Sequence, residues 1–184
     1  EMIEGIRTGD INKYLIRPLS YFSYHFMMFI GVNSLYYTVY SFLLLFFIVL
    51  FPGLLFPSFI NIIGFLFALS ISVFLSYSIY YIMICCAFWF GEVRAIVVAY
   101  NLSMIILSGQ YIPVRLFPEY ILEILKFTPI LYLVDFPVSV ATGRMHIEHW
   151  GINFIISIGW CIIMWFIGVL IYKQGIKNYE AYGS

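Results

Sequence analysis

Between Arg17 and Glu92 the chain carries no Lys, Arg, Asp or Glu. A run of that length has room for more than one bilayer crossing, because a helical crossing takes roughly 20 residues. Two proline turns divide it, Phe51-Pro52-Gly53 and Phe56-Pro57-Ser58. Proline removes a hydrogen bond and clashes with the preceding turn, so each turn is a helix boundary. The pattern predicts a first span over 33–51 and a second over 58–90. Residues 20–32, which include His25, read as an aromatic lead-in at the membrane interface. The second span is longer than a bilayer requires and is expected to tilt, to bend near residues 76–78, or to project beyond the membrane. Gly91-Glu92-Val93-Arg94 is a charged turn, and 95–109 follows as a third, shorter span. Inside it, Asn101-Leu102-Ser103 has the glycosylation spacing, but an acceptor within a span is inaccessible. Asn101 is read instead as a donor or acceptor to a neighbouring helix. A last span covers 151–172, and 173–184 is a polar tail.

Residues 109–144 are apolar yet cannot form a plain crossing, because Pro113, Pro118, Pro129 and Pro137 interrupt them. Between the prolines the pieces are short. Residues 119–127 read as an amphipathic helix with Pro118 in its first turn. Glu119, Glu123 and Lys126 lie on one face, with Ile121, Ile124, Leu125 and Thr128 toward another. Asp135 is expected to cap a second piece, with Pro137 near its start and Gly143 as its stop. Two short helices flanked by spans, over 110–150, describe a re-entrant or interfacial element that begins after Gly109.

Residues 1–19 are the most polar part of the front half. Ile3, Ile6, Ile11, Tyr14 and Leu15 are spaced for one apolar stripe, Arg7, Lys13 and Arg17 are basic, and Pro18 ends the segment. This is a short surface helix, or two pieces hinged at Gly9 with Asp10 able to cap the second. Its plainest reading is a juxtamembrane helix. With both chain ends and the Glu92 turn on one side of the membrane, that side holds Arg7, Lys13, Arg17, Arg94, Lys173 and Lys177, against Arg115, Lys126 and Arg144 on the other. Positive charge gathers on the cytoplasmic side, so both ends are expected there and 110–150 at the outer face.

Composition supports the same class. The chain is 64% hydrophobic and 10% charged, more apolar surface than a soluble domain of 184 residues can hide. A net charge of zero gives no reason to expect a nucleic-acid partner. Cys85, Cys86 and Cys161 lie in apolar runs without metal-ligand spacing and read as packing or lipid-facing residues. There is no phosphate-binding GxxxxGK[ST] loop, no HExxH and no GxSxG. His146-Ile147-Glu148-His149 gathers metal-binding residue types, but its neighbours supply no further ligand, and it reads as an exposed loop. No catalytic, cofactor-binding or metal residue is assigned, and no span carries paired catalytic groups. The chain opens at Glu1 without an initiator Met or signal peptide, which leads us to expect the later part of a longer chain.

Three motifs in order carry a resemblance. Ile6-x-x-Gly9-Asp10-Ile11 with Leu15-Ile16-Arg17-Pro18-Leu19 resembles the segment after the second membrane helix of ABC-2-type transporter permeases. Ser108-Gly109-x-x-Ile112-Pro113, Phe117-Pro118, Pro129, Pro137 and Gly143 are similar to the outer region of the same proteins. The tail from Gly175 to Gly183 resembles their usual ending, with Asn178 where a second basic residue is common. The resemblance implies a multi-pass, all-α polytopic membrane helix bundle whose four spans here are the last four of six, in the bacterial cell membrane. It further implies a dimer of permease subunits, each paired with a separate cytoplasmic ATPase, and export of a drug, antimicrobial peptide, lipid or glycan precursor. Hydrolysis of ATP is then expected only in the partner. The segment after the second helix serves as the coupling helix, which falls here on Ile6, Arg7, Gly9, Asp10, Lys13, Arg17 and Pro18. The alternative is a membrane scaffold or immunity protein that binds a partner without transporting.

Overall fold

The computed structural model describes residues 21–51, 58–90 and 93–180, with side chains described as far as Lys177. Every regular element among them is helical, as expected of an all-α membrane bundle. Helix α1 is Tyr21–Leu50, α2 is Phe59–Cys85, α3 is the short Ala87–Phe90, and α4 is Arg94–Leu107. A 3₁₀ turn at Val114–Leu116 precedes three short helices, α5 (Glu119–Lys126), α6 (Ile130–Leu133) and α7 (Asp135–Ala141). A second 3₁₀ turn, Ile147–His149, leads into α8, Trp150–Glu180.

Three of these stretches, Tyr21–Leu50, Phe59–Phe90 and Ile147–Lys177, are long and apolar enough to cross a membrane. The lead-in and the first span are therefore one continuous helix of 30 residues, in which His25 is buried. Nor does α2 break at residues 76–78. Ser78 returns its hydroxyl to the Phe74 carbonyl inside the helix, and the break falls at Cys86, between α2 and α3. Helix α4 has only 14 residues. At 1.5 Å per residue it is about 21 Å long, short of a hydrocarbon core of about 30 Å.

The centre of the bundle is the packing of α2 on α8. Along α2 the buried positions Asn61, Gly64, Ala68, Ser72 and Leu75 recur every three or four residues, so they form one helix face. Along α8 the buried positions are Trp150, Ser157, Cys161, Gly168 and Gly175, again a single face. Small residues dominate both. Without a hydrophobic drive between helices in lipid, close approach of backbones is what gives association its van der Waals energy. The approach is close enough that a methyl group added at Gly64 would collide with the Trp150 ring, at Gly168 with Tyr81, and at Gly175 with Phe88. These pairs advance together along both helices, so α2 and α8 run parallel.

A second cluster joins the Phe90 end of the bundle. Tyr21, Tyr77, Tyr81 and Cys85 are buried there against Phe22, Phe26, Phe29, Phe88 and Tyr172. Tyr21 stacks on Tyr172 with ring centroids 4.8 Å apart, and the Tyr77 hydroxyl donates to the Phe22 carbonyl at 2.9 Å. This cluster is the main attachment of α1. Beyond residue 30 its side chains are largely exposed, including Ser34, Thr38 and Ser41, whose hydroxyls turn back to carbonyls of their own helix. Cys85 and Cys161 are buried packing residues and Cys86 is half-buried.

Two substitutions test the α2–α8 seam. Gly64→Leu forces the Trp150 ring away and is expected to cost about 1–3 kcal/mol, seen as a lower unfolding midpoint of the purified protein. Gly159→Leu, where nothing lies within 4 Å, should leave the midpoint unchanged. A similar loss at both positions would mean that the seam is not closely packed.

Candidate functional site

The prolines of residues 109–144 act where their chemistry predicts. Pro118 and Pro129 are the residues preceding the first turns of α5 and α6, and Pro113 sits extended before the first 3₁₀ turn. Pro137 is the third residue of α7, where the missing N–H has no intrahelical acceptor to lose. Glu119 in the first turn of α5 and Lys126 in its last complement the helix dipole, and Glu123 is exposed between them. Gly109 and Gly143 have φ of +87° and +67°, the left-handed region that favours glycine. Gly143 ends α7 as expected.

Two expectations need correction. Ile124 does not share a face with Ile121 and Leu125. The inner face of α5 is Ile121, Leu122 and the buried Leu125, while Ile124 joins Leu116, Tyr120 and Phe127 on an outward apolar stripe. The residues lie on a helix that is apolar on two sides, which one sequence pattern cannot assign to inside and outside. Asp135 is not a cap either. It is the first helical residue of α7, Val134 holds the cap position, and no side-chain cap bond is made. Its carboxylate faces other side chains instead. Arg144 Nη2 donates to Asp135 Oδ1 at 3.3 Å, and Ser139 Oγ donates to Oδ2 at 3.4 Å. Arg144 Nε also donates to Thr142 Oγ1 at 3.2 Å. Gly109 lies near this group, and a side chain added there would collide with Val114.

The depth of the element follows from its bonds to α2. The Ser72 hydroxyl donates to the Leu133 carbonyl at 2.5 Å, at the break between α6 and α7. Asn61 Nδ2 donates to the Val140 carbonyl at 2.7 Å, near the end of α7. Helix α7 thus runs beside α2 in the opposite direction, with Phe136 and Val140 in the core that Ala68, Leu75 and Trp150 share. Trp150 closes the turn by donating its indole N–H to the Met145 carbonyl at 3.1 Å. Ser72 lies about 20 Å along α2 from Phe59 and about 27 Å from Phe90. A hydrocarbon slab about 30 Å thick contains that level wherever it is set along a helix of this length. The chain from α6 to α7 is therefore packed along an apolar span rather than laid across its end.

Helix α4 meets it there. No side chain of α4 is fully buried, and its tie to α2 is a hydrogen bond from the Tyr80 hydroxyl to Asn101 Oδ1 at 2.5 Å, the helix-to-helix role expected of Asn101. Antiparallel from that pairing, the end of α4 at Ser108 comes level with Ser72, and Gly109 follows near Val114 and Asp135. The end of α4 and the segment from α6 to α7 thus meet beside α2, near Gly109, Asp135, Ser139 and Arg144.

Sequence reasoning missed the two polar residues of α2 that hold this arrangement. Their signal was present, since Asn61 and Ser72 are three turns apart on one face of an otherwise apolar span. His146, Glu148 and His149 are exposed, with His149 in the 3₁₀ turn before α8. The residues expected to meet an ATPase, Ile6, Arg7, Gly9, Asp10, Lys13, Arg17 and Pro18, lie outside the described residues.

Neither the curated proteins nor the solved structures contain a match to the chain. A family model does match, described as ABC-2 family transporter protein, over residues 1–183. The match takes in nearly the whole sequence, spans and re-entrant element alike. The chain belongs to the ABC-2 transporter family and is a membrane-embedded permease component of an ABC transporter.

Proposed function

We propose that this permease forms the route of an ATP-driven exporter, powered by a separate cytoplasmic ATPase and working as a dimer in a bacterial cell membrane. What supports the reading is the family match together with the meeting of α4 and the proline-broken segment beside the span α2. Transporters place their working sites where membrane helices are discontinuous, because broken backbone is tolerated in the bilayer only where protein or a water-filled cavity surrounds it. The cargo classes compatible with the family are drugs, antimicrobial peptides, lipids and glycan precursors.

Charge supports an orientation. Arg94, Lys173 and Lys177 belong to the Phe90 end of the bundle, where Gly175 meets Phe88. With Arg7, Lys13 and Arg17 proposed at the same end, six basic residues stand against Arg115, Lys126 and Arg144. The charge-bias rule then puts this end in the cytoplasm and leaves the element over 110–150 opening outward. Residues 3–19 then lie beside the basic end, where their apolar stripe can rest on lipid or on spans while Arg7, Asp10 and Lys13 meet the ATPase. Pro18 stiffens the exit, so that motion of this segment reaches α1. A second permease subunit is proposed against the exposed face of α1 beyond residue 30. Ser34, Thr38 and Ser41 there follow a spacing of four and three residues that would let two helices approach.

Three measurements test these assignments. Asp10→Lys and Arg17→Glu should each lower substrate-stimulated ATP hydrolysis at least tenfold while insertion and dimerisation persist; full stimulated hydrolysis with the ATPase bound would remove the coupling role. Charged substitution of both Ile121 and Leu125 breaks the inner face of α5, and a well-expressed double variant is expected to lose most export; normal export would detach this element from the route. Single cysteines at Ser34, Thr38 and Ser41 should cross-link between subunits. If none does, the dimer contact lies on another helix.

A further inference from the structure

The Asp135–Arg144 pair brackets α7, which packs along the apolar span α2. Asp135 is two residues beyond Leu133, whose carbonyl is held by Ser72 of that span. Yet 37% of the Arg144 side chain and 26% of the Asp135 side chain are open. Ionisable groups within a membrane face the bundle interior, one another or a water-filled cavity, because the hydrocarbon offers no partner for charge. The open side of this pair is therefore wet.

The two partners are not equally occupied. Both carboxylate oxygens of Asp135 are engaged, one by Arg144 and one by Ser139. Arg144 uses Nε on Thr142 and one Nη on Asp135, which leaves guanidinium donors pointing away from both. The fork is oriented by two neighbours and retains donors for a third. Such a fork recognises a phosphate or carboxylate oxygen. Next to it, Val138 lies on the same face of α7 as Asp135 and Thr142 and is exposed, so an alkyl chain has a surface to follow.

We propose that Arg144, held by Asp135 and Thr142, binds the anionic group of an amphiphilic cargo on a water-lined wall formed by α7 and the end of α4. This rests on the transport reading and narrows it to molecules carrying phosphate or carboxylate on an apolar body.

The test uses the complete permease–ATPase assembly in nanodiscs of zwitterionic lipid, with Val138→Cys as reporter and Ile162→Cys, on the outward face of α8, as control. A charged, membrane-impermeant thiol reagent should modify position 138 at least tenfold faster than position 162. Equal slow rates overturn the wet wall, whether lipid or a partner subunit covers it. Dodecyl phosphate should then slow modification at position 138 at least tenfold more effectively than inorganic phosphate or dodecyl maltoside. Equal protection by any of the three overturns recognition of an anionic amphiphile. Arg144→Gln should abolish protection and Arg144→Lys should retain part of it; protection that survives Arg144→Gln assigns the anion elsewhere. The reporter reads binding without transport, so the two proposals fail separately. A protected reporter in an assembly that cannot export removes only the exporter reading, and an unprotected one in an exporting assembly removes only the anion site.

Discussion

The constraint on which this structure rests is that a backbone carbonyl inside a bilayer has no water to accept from. Wherever the chain stops being helical at depth, another group must supply the hydrogen bond. Residues 109–149 change direction repeatedly, and two of the exposed carbonyls, of Leu133 and Val140, are met by Ser72 and Asn61 of α2. A hydroxyl and an amide on an apolar span would be a liability if they faced lipid. Set against the re-entrant chain they become its anchors, and Trp150 adds a third bond from α8.

Anchoring of this kind requires close backbones, and the small residues of α2 and α8 allow it. Gly64 admits the Trp150 ring, Gly168 admits Tyr81, and between them Cys161 places its thiol against the Ile71 carbonyl at 3.6 Å. The result is a block of α2, α8 and the re-entrant helices that shares one core. Helix α1 joins this block through the aromatic cluster at the Phe90 end, and α4 joins it through Tyr80, Asn101 and the partly buried Met104. The elements with the least buried surface are thus a long helix with an open face and a half-length helix ending at Gly109. Low burial is the physical condition for an element to move or to take up a partner at low cost.

A large part of this was legible in the sequence. The charge-free run, the proline turns and the apolar stretches identify a helical membrane bundle, because continuous apolar runs of this length suit helical crossings, whereas barrel strands alternate. Pro113, Pro118, Pro129 and Pro137 marked the broken segment for a local reason, the missing N–H and the ring clash, and Gly143 marked its stop because a left-handed residue ends a helix. The interhelical bond of Asn101 also followed from its type and place.

What only the tertiary structure decided is which side of each element faces which neighbour. Helix α5 is apolar on two sides, so its sequence could not say that Leu125 packs inward and Ile124 outward. Asp135 stands at a helix start, where capping is the local expectation, but Arg144 folds back past Gly143 to claim its carboxylate. The depth of the element depended on bonds between residues 61 and 79 positions apart in sequence. Periodicity and turn chemistry act over a few residues and are written locally, whereas the pairing of a hydroxyl on one helix with a carbonyl on another exists only once the chain has folded.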